Sequence, residues 1–250
     1  MVTTDFYTSD VYLKNNPGWH IGASNWKAQS VLQMMRKHKI NPKSVCEIGC
    51  GAGEILRILQ RQLDPQCTFV GYDIAPQAIK LAQERENERL HFHLGEFVQE
   101  SGNDTYDLIL IVDVLEHFEN CFRLLRDIKT KSTYKILQLP LDISALSVIL
   151  NELIQYRHAT GHLHFFTKDI ALEILRDAGY NIRDAFYELQ PFENPWSWPQ
   201  ALKRPKSIPL MLLKLLRRVL YRVPRLLLFA IQPDFAVRLL GGWRFLVLVE

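Results

Sequence analysis

Tyr106–Val112 reads YDLILIV, a run of strand length with no polar residue after Asp107. A strand that does not alternate has no face for water, so it must lie in a sheet covered on both sides. The surrounding chain supplies the cover. Ser44–Ile48, Cys67–Tyr72, His91–Leu94 and Tyr134–Leu139 read as further strands, and helical spacing fills Gly53–Leu63, Pro76–Glu86 and the stretch after Val112 to about Lys129. Alternating strands and helices predict an α/β fold around a mainly parallel sheet. Ligands then bind at the carboxyl ends of the strands, where the strand order reverses. A helix over Trp26–His38 precedes this core; helices at Ile143–Tyr156 and Lys168–Ala178, a strand at Tyr180–Leu189 and a last strand at Trp243–Val249 follow it.

The chain's 250 residues, 48% of them apolar, suffice for one large α/β domain with an elaboration. Its four cysteines, Cys46, Cys50, Cys67 and Cys121, sit among apolar neighbours, and the first ten residues lack the basic-then-apolar pattern of a signal peptide, so a reducing cytoplasm is the expected setting. Cys46 and Cys50 have no second pair at zinc-site spacing, and no metal centre is expected.

The formal net charge of +3 is unevenly spread, because Asn194–Pro233 carries eight basic residues and no acid. The remainder is mildly acidic, which argues against nucleic acid as a partner. Within this segment Lys214, Arg218 and Arg222 recur every fourth residue opposite Leu212, Leu216, Val219, Leu220 and Val223, an amphipathic pattern. Five charges between Pro209 and Ile231 speak against a membrane span. A lid or a homodimer contact is the expected role, with peripheral membrane contact as the third reading.

Behind the first strand, Glu47-Ile48-Gly49-Cys50-Gly51-Ala52-Gly53 gives G-x-G-x-G. A dinucleotide turn would place glycine next, but Glu54 stands there and sets a carboxylate where a pyrophosphate would meet the helix start. A nucleoside without phosphates suits the turn better. Asp73 ends the second strand, where a carboxylate accepts from a ribose diol; Glu96 offers an acceptor for an exocyclic amine, Phe97 an aromatic face for a base, and Asp113 a carboxylate for an ammonium, with Glu116 and His117 opening the next helix.

EIGCGAG, YDIAP, LGEF and YDLILIVDVLEH, in this order, resemble the class I S-adenosylmethionine-dependent methyltransferases of the small-molecule branch. GHLHFFTKDIALEILRDAGY looks like the stretch before that branch's last packing helix. The resemblance implies a Rossmann-like seven-stranded mixed sheet with helices on both faces, the seventh strand antiparallel between the fifth and sixth, and here a helical insert before it. It implies S-adenosyl-L-methionine as cofactor: Glu47, Gly49, Cys50, Gly51 and Gly53 at its methionine end, Asp73 and Ile74 at the ribose, Glu96 and Phe97 at the adenine, Asp113 and Val114 near the donor methyl.

Transfer to O or N of a small-molecule acceptor needs alignment and, where a proton is lost, a base. His117, His162, His164 and His20 are the candidates, since histidine titrates near the working pH. The resemblance further implies that the aromatic leader FYTSDVYLKNNPGWHIGASNWKA folds over the donor and contributes to the acceptor pocket, with Tyr12, Trp19 and His20 lining it and His164 beside them; aromatics that only staple the leader to the sheet edge are the alternative. The expected organisation is a leader and capping helix at 1–43, the cofactor-binding core at 44–190, the basic insert at 191–241 and the final strand at 242–250. A nicotinamide oxidoreductase, opposed by Glu54, and a non-catalytic nucleoside-binding or membrane-docking module are the alternatives.

Overall fold

The structure, a computed structural model, describes residues 7–8, 12, 16, 18–19, 21–188 and 224–250. His20 and the 191–223 part of the basic insert, with Lys214, Arg218 and Arg222, lie outside the described residues. Seven strands form one sheet: β1 (Ser44–Ile48), β2 (Thr68–Asp73), β3 (Leu90–Leu94), β4 (Tyr106–Val112), β5 (Ser132–Leu141), β6 (Ile182–Glu188) and β7 (Trp243–Val249), in the order β3-β2-β1-β4-β5-β7-β6. β1 to β5 pair in parallel, whereas β7 runs antiparallel between β5 and β6. This is the mixed sheet the sequence resemblance implies. The order reverses between β1 and β4, which opens a crevice at their carboxyl ends. β4 is buried from Leu108 to Val112, as its unbroken apolar run requires.

The helices in chain order are α1 (Ile21–His38), α2 (Glu54–Gln60), α3 (Pro76–Gln83), α4 (Phe97–Glu100), α5 (Cys121–Asp127), α6 (Ala145–Ile149), α7 (Glu152–Thr160), α8 (Lys168–Asp177) and α9 (Pro233–Leu240); residues 224–231 are also helical. They cover both faces of the sheet over two apolar clusters, one including Met34, Leu56 and Phe69, the other Leu125, Phe166 and Leu175. Among the described residues no helix is long and apolar enough to cross a membrane.

Two helices differ from the sequence expectation, each for a local reason. The stretch after β4 is a 3-10 turn at Leu115–His117, then extended Phe118, before α5 starts under the side chain of Asn120, which accepts from the Arg123 N–H. The expected helix over Ile143–Tyr156 splits into α6 and α7 because Asn151 takes a left-handed conformation, φ 54°, which asparagine tolerates. Arg225, one of the eight basic residues of the insert, packs against the core. Its guanidinium lies 3.7 Å from the centre of the Trp243 ring and donates to the carbonyls of Leu240 and Gly241, closing the end of α9.

Candidate functional site

A cavity of about 560 Å³ occupies the crevice at the carboxyl ends of β1, β2 and β4. The glycine turn forms one wall. All three glycines have positive φ, yet their surroundings differ. A Cβ on Gly49 would stand 2.4 Å from Val114 Cγ2, and one on Gly53 2.3 Å from Phe92 Cζ, so these two permit close packing. A Cβ on Gly51 would meet nothing within 4 Å; this glycine faces the open cavity. The turn is fastened from below by Tyr72, whose carbonyl accepts from the Gly49 and Cys50 N–H groups at 2.8 and 3.0 Å.

Asp73 fastens the turn from above. Its Oδ2 accepts from Gly51 N at 2.8 Å and its Oδ1 from Ala75 N at 2.9 Å, leaving each oxygen further acceptor capacity toward the cavity. Burial pushes its carboxyl above the usual range, against the pull of those backbone bonds. Ile74, Phe97 and Glu96 continue the same wall. Phe97 is buried edge-on against Tyr72 with ring centres 5.3 Å apart, and exposed Glu96 accepts from Gln99 at 2.7 Å. Glu54 turns to Arg57 and Arg85, which bond its carboxylate.

Asp113 adopts φ 52° at the end of β4 and holds two cations, Lys27 Nζ at 2.6 Å and Arg244 Nε at 2.8 and 3.0 Å. Burial opposes its charge, but Arg244 and Lys27 outweigh that and hold the carboxyl well below the usual range. The carboxylate read from the sequence as an ammonium ligand is therefore already neutralised within the protein. Lys27 and Arg244 were not singled out in the sequence, although Arg244 is the sole charge in WRFLVLV and so signals a buried partner.

Glu47 is 1% exposed beneath the turn, and its Oε2 has no hydrogen-bond partner among the described residues. Burial raises its carboxyl to about 8, with Lys27 pulling the other way. A raised carboxyl means the folded chain keeps a proton that the unfolded chain releases, so between about pH 4.5 and 8 stability falls as pH rises. Glu47→Gln is expected to remove this contribution. The stability difference between variant and wild type should grow in the variant's favour by about 1 kcal/mol per pH unit across that window, measured by urea unfolding. A difference independent of pH would show that Glu47 is ionised when folded.

The other end of the cavity is lined by Tyr7, Tyr12, Trp19, Glu116, His117 and His162. The three aromatics form a chain, Tyr7–Tyr12 at 5.0 Å and Tyr12–Trp19 at 4.9 Å between ring centres. Tyr7 Oη donates to the Thr160 carbonyl at 2.8 Å, a group that only accepts. Its one proton is thereby used, so its 2.7 Å contact with His117 is a bond donated by Nδ1–H of the imidazole. His162 likewise directs Nδ1 to Asp142 Oδ2 at 2.7 Å. With Nδ1 as donor, the neutral form of each ring carries its lone pair on Nε2. The two imidazoles stand edge to face, 5.0 Å apart, and Glu116 Oε1 lies 3.8 Å from His117 Nε2. Glu116 is fully buried, and neither of its carboxylate oxygens has a hydrogen-bond partner among the described residues.

The Glu116 carbonyl accepts from the N–H groups of Leu163 and His164, which docks the HLHFF segment onto the 3-10 turn and carries His162 to His117. His164 is not among the described residues lining the cavity; its Nε2 meets the Phe118 carbonyl at 2.8 Å and braces the turn. Tyr7, Asp142 and Glu116 complete the set that sequence reasoning did not assign.

A family described as "Methyltransferase domain" matches residues 24–185. Norajmaline N-methyltransferase of Rauvolfia serpentina is 28% identical over 92 residues, covering 34% of this chain and 31% of that protein. The chain thus spans about a third of the length of the curated relative it matches. Magnesium protoporphyrin IX methyltransferase from Synechocystis, solved with S-adenosylhomocysteine, superposes with a TM-score of 0.62 at 15% identity over 100% of this chain and 98% of that one. A methyltransferase solved in complex with a Haloferax volcanii activator protein gives 0.65 at 15% identity, covering 100% and 96%. At such identities the structural likeness establishes the fold.

Proposed function

The chain belongs to the methyltransferase-domain family, and on that premise we propose that it transfers a methyl group from S-adenosylmethionine to oxygen or nitrogen of a small-molecule acceptor. The observation that carries this reading is the shared cavity: the Gly51–Asp73 wall and the His117–His162 wall line one space, so donor and acceptor meet without leaving it. Gly51 leaves room for the donor's backbone-proximal part, and Asp73 offers its remaining lone pairs to a ribose diol. Phe97 supports the base and Glu96 reaches its edge. Lys27 and Arg244 around Asp113 leave one unit of positive charge, matched to the carboxylate of an amino acid.

The sulfonium supplies an electrophilic methyl group, whose bonding pair stays on sulfur as the bond to the acceptor atom forms and the acceptor's proton is released. The protein's part is alignment and reception of that proton. Tyr7, Tyr12 and Trp19 close the acceptor end against water, and the imidazoles of His117 and His162 face the proton to be lost. The named acceptors of two relatives, norajmaline and magnesium protoporphyrin IX, are small molecules, which supports the same class here.

Glu54 decides against a nicotinamide dinucleotide. It puts a side chain at the first position of α2, where a dinucleotide turn has the third glycine that lets the helix pack close to the strand. Calorimetric titration with S-adenosylmethionine, S-adenosylhomocysteine and NAD is expected to show binding of the first two alone. Binding of NAD in preference to both would overturn the assignment. Mass gain of one methyl group in a panel of hydroxylated and amine acceptors then reads the reaction.

A further inference from the structure

Glu116, His117 and His162 do more than face an acceptor. Each offers one ligand atom, and the three atoms lie within 4.8 Å of one another. Glu116 brings two buried oxygens without a hydrogen-bond partner among the described residues, an expensive arrangement unless something else satisfies them. Both histidines have Nδ1 engaged, His117 on the Tyr7 hydroxyl and His162 on the Asp142 carboxylate. Such outer partners fix the tautomer and aim a metal-binding imidazole, and the carboxylate–histidine pair is a recurrent form of them. We propose that Glu116, His117 and His162 form a site for a divalent transition-metal ion such as Zn²⁺, with an open coordination position that takes the acceptor's oxygen.

Two histidines and one glutamate are a donor set that suits Zn²⁺ with a fourth position left for water or substrate. Tetrahedral ligand atoms about 2.1 Å from zinc stand roughly 3.4 Å apart, so binding draws this cluster together by about an ångström. The 3.8 Å between Glu116 Oε1 and His117 Nε2 is already close to that span. All three side chains line the cavity, which is where the open position must point. The site deepens the proposed function and rests on it only for the identity of the oxygen: a hydroxyl bound to the ion gives its proton to solvent water more readily, so the oxygen takes the methyl group as a metal-bound alkoxide and no imidazolium forms.

The test uses untagged full-length protein freed of metal by chelation, titrated with Zn²⁺ by calorimetry and with Co²⁺ by visible absorption. One equivalent is expected to bind, with a spectrum of nitrogen and oxygen ligation and no thiolate band, since Cys46, Cys50, Cys67 and Cys121 lie outside the cluster. Glu116→Gln and His162→Gln should each weaken binding at least 100-fold, and Asp142→Asn roughly 10- to 100-fold through the aim of His162. His91→Gln, an exposed position on β3 away from the cluster, should leave it unchanged. Acetohydroxamate should alter the Co²⁺ spectrum by entering the open position. No binding by the wild type, or equal binding in Glu116→Gln and His162→Gln, overturns the site; an unaltered spectrum with acetohydroxamate overturns its open position. S-adenosylhomocysteine affinity, measured on the same samples, separates the two readings: retained donor binding without metal binding defeats the metal site alone, and metal binding without donor binding defeats the methyltransferase reading.

Discussion

Asp73→Ala is expected to weaken S-adenosylhomocysteine binding by roughly 30- to 1,000-fold, equivalent to about 2–4 kcal/mol. The magnitude has two sources. The ligand loses two hydrogen bonds to a charged acceptor in a partly dry cavity. The protein loses the carboxylate that accepts from Gly51 N and Ala75 N, so two backbone N–H groups are left without that partner and the glycine turn is no longer tied to the end of β2. Asparagine does not rescue this arrangement: with one oxygen it satisfies one N–H and turns its own NH₂ toward the other. Asp73→Asn should therefore fall within about tenfold of the alanine variant, a result calorimetry reads directly. Unchanged affinity in Asp73→Ala would remove this residue from the site.

The sheet was legible because its signals are local. YDLILIV admits one reading for burial, and a glycine-rich turn behind an apolar strand admits few. The place of β7 between β5 and β6 came from the family resemblance, and the pairing registers agree. The break at Asn151 was not legible, because asparagine is also found inside helices and here it starts α7 without any side-chain capping bond. Individual site residues could be picked out by type at strand ends. Their partners could not: Lys27 and Arg244 approach Asp113 from α1 and β7, and Asp142 reaches His162 from the end of β5, pairings that exist only once the sheet is assembled. The same holds for Tyr7, whose bond to His117 spans 110 residues of chain.

Gly51→Val and Gly53→Val, two residues apart and alike in the sequence motif, are expected to fail in opposite ways. At Gly51 the added side chain enters open space, so the fold survives; a β-branched residue at φ 53° costs about 1–3 kcal/mol of stability and little more. That same space is where the donor must lie, and S-adenosylhomocysteine binding should fall below detection while the circular dichroism stays close to native. At Gly53 the left-handed φ of 74° exacts the same strain, and the Cβ also strikes Phe92 Cζ at 2.3 Å and Ala82 Cβ at 3.1 Å inside the packing of α2, α3 and β3. Overpacking of that kind adds about 1–3 kcal/mol, and a protein of this size then melts on the order of 10 °C lower. Thermal unfolding with donor titration on both variants reads the contrast: loss of fold in Gly51→Val would make that glycine a packing residue like its neighbour, and full donor binding in a folded Gly51→Val would place the ligand elsewhere than this wall of the cavity.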